Sequence, residues 1–290
     1  MKLLRYGPPG RERPGLMDAD GTIRDLSGHL ADITPEVLGP AALLRLAGLP
    51  AGSLPPVDGQ PRLGVPVKGI GKFIAIGLNY SDHAAEAGMP IPAEPIVFTK
   101  AISCLSGPND DVMLPQDAVK GDWEVELGVF IGRTARSVSV NAAPDHVAGY
   151  CVVNDVSERA WQLERGSQWD KGKGFDTFGP VGPWLVTADE VGDPQRLDLF
   201  LDLNGRRMQS GNTRNMIFGV SQLVAYVSTC MTLFPGDLLI TGTPPGVGMG
   251  ARPHPVYLKP GDTMHLGIAG LGQQRQRVVG WQRRDAAGNP

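Results

Sequence analysis

Trp123-Glu124-Val125-Glu126-Leu127, continued by Val129 and Ile131, is the stretch on which the reading of this 290-residue chain turns. Apolar residues at 125, 127, 129 and 131 predict a half-buried β-strand. Period two sends Glu124 and Glu126 out of one face, roughly 6.5–7 Å apart along the strand. Two carboxylates so placed repel, and burial favours neither unless a cation lies between them. Asp155, 29 residues past Glu126, closes a second apolar run, Gly149-Tyr150-Cys151-Val152-Val153-Asn154, and can bring a third carboxylate to the same cation. Three oxygen ligands without a histidine favour Mg²⁺, or Mn²⁺, over Zn²⁺. Taken alone, Glu-x-Glu is more simply the polar face of a strand, and the rest of the chain has to decide.

Working outward, 39 glycines and 26 prolines call for many turns and short strands rather than a helical bundle. Hydrophobic content of 41% supports a buried core, and a net charge of −3 without a polybasic run gives no footprint for nucleic acid or a membrane surface. Three cysteines, without metal spacing or a disulfide framework, and no membrane-length apolar run point to a cytoplasmic protein. Residues 1–66 read as a small N-terminal module with a Pro-rich linker: a hairpin from 2–6 and 21–26, and a helix at 40–46. Residues 67–290 read as the catalytic domain. Strands outnumber helices and do not alternate with them, which predicts a mostly β, α+β fold, a mixed β-sandwich roll with peripheral helices.

Within that domain, Lys72–Leu78 suits a buried strand, and Ser81 or Asp82 can cap a short helix ending at Gly88. On that helix His83 and Glu86, three apart, are neighbours, and a carboxylate beside an imidazole raises its basicity toward water. Residues 154–165 read as helical, and 169–183 as an irregular loop whose Gly172-Lys173-Gly174 can bring an ammonium onto a substrate oxyanion. Asn204-Gly205 marks a hairpin. Asn212 or Thr213 caps a helix with Ile217, Val220, Val224 and Val227 on its core face. Thr241-Gly242-Thr243-Pro244-Pro245-Gly246 lacks the Gly-Lys-Ser/Thr pattern and a following helix, so it reads as a turn offering Thr243 and backbone N–H groups to an anionic ligand end.

Taken in order, Gly77-Leu78-Asn79-Tyr80-Ser81-Asp82-His83 with Glu86, Phe98-Thr99-Lys100, Trp123–Leu127, Gly149–Asp155, Lys173-Gly174-Phe175-Asp176 and Thr241-Gly242-Thr243-Pro244 resemble the fumarylacetoacetate hydrolase family over about residues 70–280. The resemblance implies that family's β-roll and a homodimer. It implies Mg²⁺ or Mn²⁺ on Glu124, Glu126 and Asp155, a catalytic His83–Glu86 dyad on a helix over the substrate, and catalytic Lys173. Substrate contacts are expected from Thr243, Lys100 and Tyr80, and the partner is a small keto or hydroxy acid. The chain is most similar to short bacterial members that cleave 2,4-diketo-3-deoxy sugar acids (rhamnonate or fuconate type), relatives of which are also labelled ureidoglycolate lyases. The expected reaction is Mg²⁺-dependent hydrolysis of a C–C bond in a 2,4-diketo acid. Ureidoglycolate lysis, acylpyruvate hydrolysis, oxaloacetate decarboxylation and isomerisation are the alternatives at the same site.

Overall fold

The strand Val125–Ile131 forms as expected, but all seven of its residues are buried. It is not half-exposed because it lies inside a large mixed sheet. The computed structural model describes residues 1–166 and 168–282; residues 283–290, the end of the expected catalytic domain, lie outside the described residues. Within these, the sheet runs Ile23–Asp25, Arg13–Met17, Lys2–Tyr6, Gly179–Thr187, Val147–Asn154, Val125–Ile131, Leu238–Ile240, Phe73–Gly77 and Ile96–Thr99, with Leu105–Ser106 added beside Gly179–Thr187. Val147–Asn154 pairs antiparallel with Val125–Ile131, setting Val153 opposite Glu126 and Asn154 opposite Val125. That register brings Asp155, one residue past the strand end, level with Glu124, whose carbonyl accepts from the Asp155 N–H at 2.9 Å.

A second, five-stranded sheet (Arg206–Asn212, Asp198–Leu203, Thr263–Ile268, Gly272–Val279, Val112–Met113) packs on the first through one continuous apolar core. Its hairpin turns at Asn204-Gly205, both with positive φ (52° and 79°), the geometry an Asn-Gly turn favours. Buried glutamines link the sheets. Gln209 accepts from the Val125 N–H (3.0 Å) and donates to Thr243 Oγ1 (2.8 Å), fixing the site strand to the loop above it. The mostly β fold with few helices matches the sequence reading.

Five expectations change in detail. The boundary near residue 66 divides the sequence but not the sheet, because Lys2–Tyr6 pairs directly with Gly179–Thr187 and Leu3, Leu16 and Leu26 join the common core. The N-terminal pairing is also a three-stranded meander through Arg13–Met17 rather than one hairpin. Residues 169–183 are not irregular: Asp170–Lys173 is a turn of helix, and Gly179–Thr187 is a central strand despite two prolines. Its register shifts opposite Tyr150 and Val152, and Gln274 Nε2 donates to the carbonyls of Val152 (2.8 Å) and Gly182 (2.9 Å) there. A side chain from the second sheet thus satisfies groups that the proline-broken ladder leaves. The helix expected over 154–165 shrinks to Arg159–Leu163, preceded by the two-residue strand Ser157–Glu158. The later helix begins at Val220 rather than Thr213, with Gln222 accepting from the Gly219 N–H at 2.8 Å; Ile217 precedes it, and Asn212 caps a short 3₁₀ turn instead. No helix among the described residues is long and apolar enough to cross a membrane.

Candidate active site

Glu124, Glu126 and Asp155 converge, with carboxylate oxygens within 4.8 Å of one another, and all three are buried. Strand period and register produce this directly: two same-face residues on one strand, and a third at the end of its neighbour. Cations surround two of the three. Lys173 Nζ lies 2.6 Å from both Glu124 Oε2 and Asp155 Oδ2, Lys100 Nζ is 2.6 Å from Asp155 Oδ1, and Arg159 Nη2 is 2.6 Å from Glu124 Oε1. Glu126 differs. Its Oε2 accepts from the Gly242 N–H at 2.7 Å, and among the described residues no cation lies within 4 Å of it. Burial, then the negative charges of Asp155 and Glu124, push its carboxyl well above the usual range. Glu124 goes the other way: burial raises its pKa, but Arg159 and Lys173 outweigh that and hold it low. Burial also disfavours the Lys173 ammonium, and Asp155 and Glu124 more than compensate.

The acids Asp122, Glu124, Glu126 and Asp155 face the bases Arg159, Lys100 and Lys173, four acidic groups against three basic ones. A carboxylate-only donor set with one acid lacking a counter-charge fits a hard divalent cation, which would lie on Glu124, Glu126 and Asp155.

Above this cage runs the helix Ser81–Ala87, ended by Gly88 in the left-handed conformation (φ 65°). Tyr80, rather than Ser81 or Asp82, occupies its N-cap position. His83 Nδ1 stands 3.3 Å from Glu86 Oε2, and the Asp82 carboxylate that accepts from the His83 N–H (3.0 Å) is itself held by Asn215 (2.8 Å). The dyad, Glu124, Glu126, Lys173 and Thr243 all border one cavity of about 340 Å³.

Other residues are placed differently from the sequence expectation. Lys100 does not border that cavity: fully enclosed, it contacts Asp155 and the carbonyls of Val156 and Lys173, so it supports the cage from behind. Tyr80 is also enclosed, away from the cavity, and its hydroxyl finds no partner among the described residues. Thr243 borders the cavity, but its hydroxyl donates to Val125 O (3.0 Å) and accepts from Gln209. The backbone N–H groups of residues 242–249, expected to face a ligand anion, hold the protein's own carboxylates. Gly242 takes Glu126 (2.7 Å), Gly246 takes Glu86 (3.2 Å), and Gly248 and Met249 take Asp122 (2.6 and 3.0 Å). Glycine is required at 246, where φ is 101° and a Cβ would meet Met208 O at 1.9 Å.

Sequence reasoning missed Arg159 and Gln162, which also border the cavity. Arg159 spans Asp122 (2.8 Å) and Glu124, and its third nitrogen donates to Gln162 Oε1 at 2.9 Å. An Arg and a Gln three apart after the Asp155 strand end were the available signal, since i,i+3 residues share a helix face.

The family described as Fumarylacetoacetate (FAA) hydrolase C-terminal matches residues 72–279, and the chain belongs to this family, whose members include hydrolases and isomerases. A Burkholderia ambifaria protein, provisionally named a hydrolase, is 65% identical over 276 residues, 95% of this chain and 98% of that one. Among solved structures, a fumarylacetoacetate hydrolase from Exiguobacterium antarcticum is 34% identical, with a TM-score of 0.84 over 97% of this chain and 100% of its own. Maleylpyruvate hydrolase from Sphingobium sp. SYK-6, solved with manganese(II) and pyruvate, is 33% identical with a TM-score of 0.81 over the same shares. A 2-hydroxyhepta-2,4-diene-1,7-dioate isomerase from Mycobacterium marinum is 33% identical, with a TM-score of 0.74 over 98% and 100%.

Proposed function

We propose that this protein is an enzyme that hydrolyses a carbon–carbon bond in a 2,4-diketo acid, yielding pyruvate and the acid formed from the remaining acyl chain. The observation that carries this reading is that the His83–Glu86 pair and two carboxylates of the cage, Glu124 and Glu126, border one cavity. A divalent cation, Mg²⁺ or Mn²⁺, held by Glu124, Glu126 and Asp155 supplies Lewis acidity toward the keto-acid end of the substrate. Glu86 accepts from His83 Nδ1–H, which leaves Nε2 as the basic nitrogen. His83 takes a proton from water as that water attacks the 4-carbonyl carbon, the C3–C4 bond breaks with its electron pair passing to the enolate of pyruvate, and the proton returns to C3 to give pyruvate. Lys173 has two of its three N–H groups on Glu124 and Asp155, and the third serves the enolate oxygen. Arg159 fixes Glu124 and Gln162 so that the wall of the cavity does not shift during turnover. A homodimer accompanies this reading and is checked by light scattering.

The name of the M. marinum relative favours one second reading, isomerisation of a dienoate. That reaction shifts protons and needs no activated water. The test is acetylpyruvate with Mg²⁺ or Mn²⁺, followed by loss of enol absorbance and release of pyruvate. Metal-dependent pyruvate release that disappears in His83→Ala supports hydrolysis. No pyruvate release with either metal contradicts it.

A further inference from the structure

The helix that carries the dyad is tied down near both ends. At its start, Asn215 donates to the Asp82 carboxylate (2.8 Å), and its carbonyl accepts from Ser81 Oγ (3.2 Å). Beyond Asp82, among the described residues, the helix is hydrogen-bonded to the rest of the protein only through Glu86, whose two oxygens accept from the Gly246 N–H at 3.2 Å. The Glu86 side chain is 29% accessible. Without that amide it is free to leave His83 for solvent, because a freed glutamate regains rotamer entropy. The loop that supplies the amide is fixed from below. Trp123 Nε1 donates to Gly246 O (3.1 Å), and the Asp122 carboxylate accepts from the N–H groups of Gly248 and Met249. The fit is close: a Cβ on Gly248 would lie 2.0 Å from Val256 O and 2.8 Å from Asp122 Oδ1.

Asp122 is fully enclosed and does not border the cavity, yet it faces both halves of the site. Its Oδ1 accepts from the N–H groups of Trp123 (2.8 Å) and Gly248 (2.6 Å), and its Oδ2 from Met249 N–H (3.0 Å) and Arg159 Nε (2.8 Å). The short pairing of Gly121–Asp122 with Ser157–Glu158 sets it opposite Ser157, two residues before Arg159. Four donors fill the acceptor sites of a carboxylate, and an amide in its place turns one oxygen into a donor that faces two others. From this arrangement we propose that Asp122 is a positioning residue that holds the cation cage and the dyad in one frame. Through Arg159 it fixes the Glu124 carboxylate, and through the 246–249 loop it fixes Glu86 and thereby His83. The consequence for turnover rests on the hydrolytic reading above; the link between the two carboxylates does not. The rival role for Asp122 is to stabilise the fold without setting the dyad.

The test is a double-mutant cycle of Asp122→Asn and Glu86→Gln, with kcat on acetylpyruvate measured at saturating Mn²⁺. Asp122→Asn alone should lower kcat about 10- to 100-fold, the cost of a slightly misplaced reacting group. In the Glu86→Gln background the same change should add no more than about 2-fold, because the group it acts through is already disabled. An equal loss in both backgrounds assigns Asp122 to the fold and overturns the proposal, as does native kcat in Asp122→Asn. Two readouts do not need turnover. Asp122→Asn should speed amide hydrogen exchange over residues 84–88 and weaken Mn²⁺ binding about 10-fold, as loss of a group that orients a ligand does. Trp123→Phe removes only the indole N–H from Gly246 O; it should speed the same exchange and leave Mn²⁺ affinity within about 2-fold of native. If native protein does not cleave acetylpyruvate, the hydrolytic reading has failed, and exchange and Mn²⁺ affinity decide the frame: both altered in Asp122→Asn supports it, and either one native overturns it. Should Asp122→Asn not fold, Trp123→Phe decides, and native exchange over residues 84–88 in that variant overturns the proposal.

Discussion

Two charge clusters lie on the large sheet, one beside the N-terminal strand Lys2–Tyr6 and one at the central strands Val125–Ile131 and Val147–Asn154, and only the second has the make-up of a site. In the N-terminal cluster Arg5, Arg62 and Lys68 meet Glu12, Asp32 and Asp110, three against three, and every carboxylate has a cation within 3.4 Å. In the cage the balance is four to three, and Glu126 is the acid left over. The consequence appears in the direction of titration. Burial raises Asp32, but its hydrogen bond and ion pair with Arg5 outweigh burial and hold it below the usual carboxylate range, whereas Glu126 is pushed well above it. A balanced cluster holds the fold together; an unbalanced one holds a place for something else.

The largest expected effect separates chemistry from cation binding. His83→Ala should lower kcat by about 10²- to 10⁴-fold, the usual contribution of a positioned general base, while Mn²⁺ affinity stays near the native value. Steady-state turnover and a metal titration on one preparation check this, and native-like turnover would remove the dyad from the mechanism.

The next effect applies one chemical change to both clusters. Asp32→Asn takes a partner from Arg5; because Arg5 keeps Glu12 and Asp32 is not fully enclosed, the loss should be roughly 2 kcal/mol, below that of a fully buried broken pair. Glu126→Gln in cation-free protein should cost little or raise stability, since it replaces a carboxyl that lacks a counter-charge with a neutral amide of similar shape. Urea midpoints measure both. A larger loss for Glu126→Gln than for Asp32→Asn would break the comparison.

The smallest effect is in pH. A carboxyl depressed in the folded state contributes stability that is fully present above its unfolded value, about 3.9, and that is lost as pH falls through the folded value. The difference in urea midpoint between native protein and Asp32→Asn should therefore be constant near neutrality and narrow on acidification below about pH 4. A gap that widens with acid would assign the Asp32 effect to another group.

What the sequence disclosed, and what it did not, follows from the range of the interactions. The cage was legible because strand period and a strand end dictate it: Glu124 and Glu126 are two apart, and Asp155 closes the adjacent apolar run. The dyad was legible for the same local reason, His83 and Glu86 being three apart on one helix. Arg159 was not legible, because its role comes from Asp122 and Glu124, 37 and 35 residues earlier in the chain. Nor was the use of the Gly242–Met249 N–H groups, whose anions come from three separate elements. Lys100 and Tyr80 lie in recognisable motifs, yet they act from behind the cavity wall, a depth that spacing does not encode. Residues 179–183 looked like loop because proline and glycine dominate them; the compensating Gln274 lies nearly a hundred residues downstream.

Whether the unbalanced cluster is a divalent-cation site is decided by calorimetric titration. Mn²⁺ is added to chelator-stripped native protein, Glu126→Gln and Asp32→Asn. One Mn²⁺ per chain is expected for the native protein and for Asp32→Asn, and binding weaker by at least about 10- to 100-fold for Glu126→Gln, since loss of even a group that only orients a ligand typically costs that much. Equal affinity in Glu126→Gln and native protein, or no binding by native protein, would contradict it.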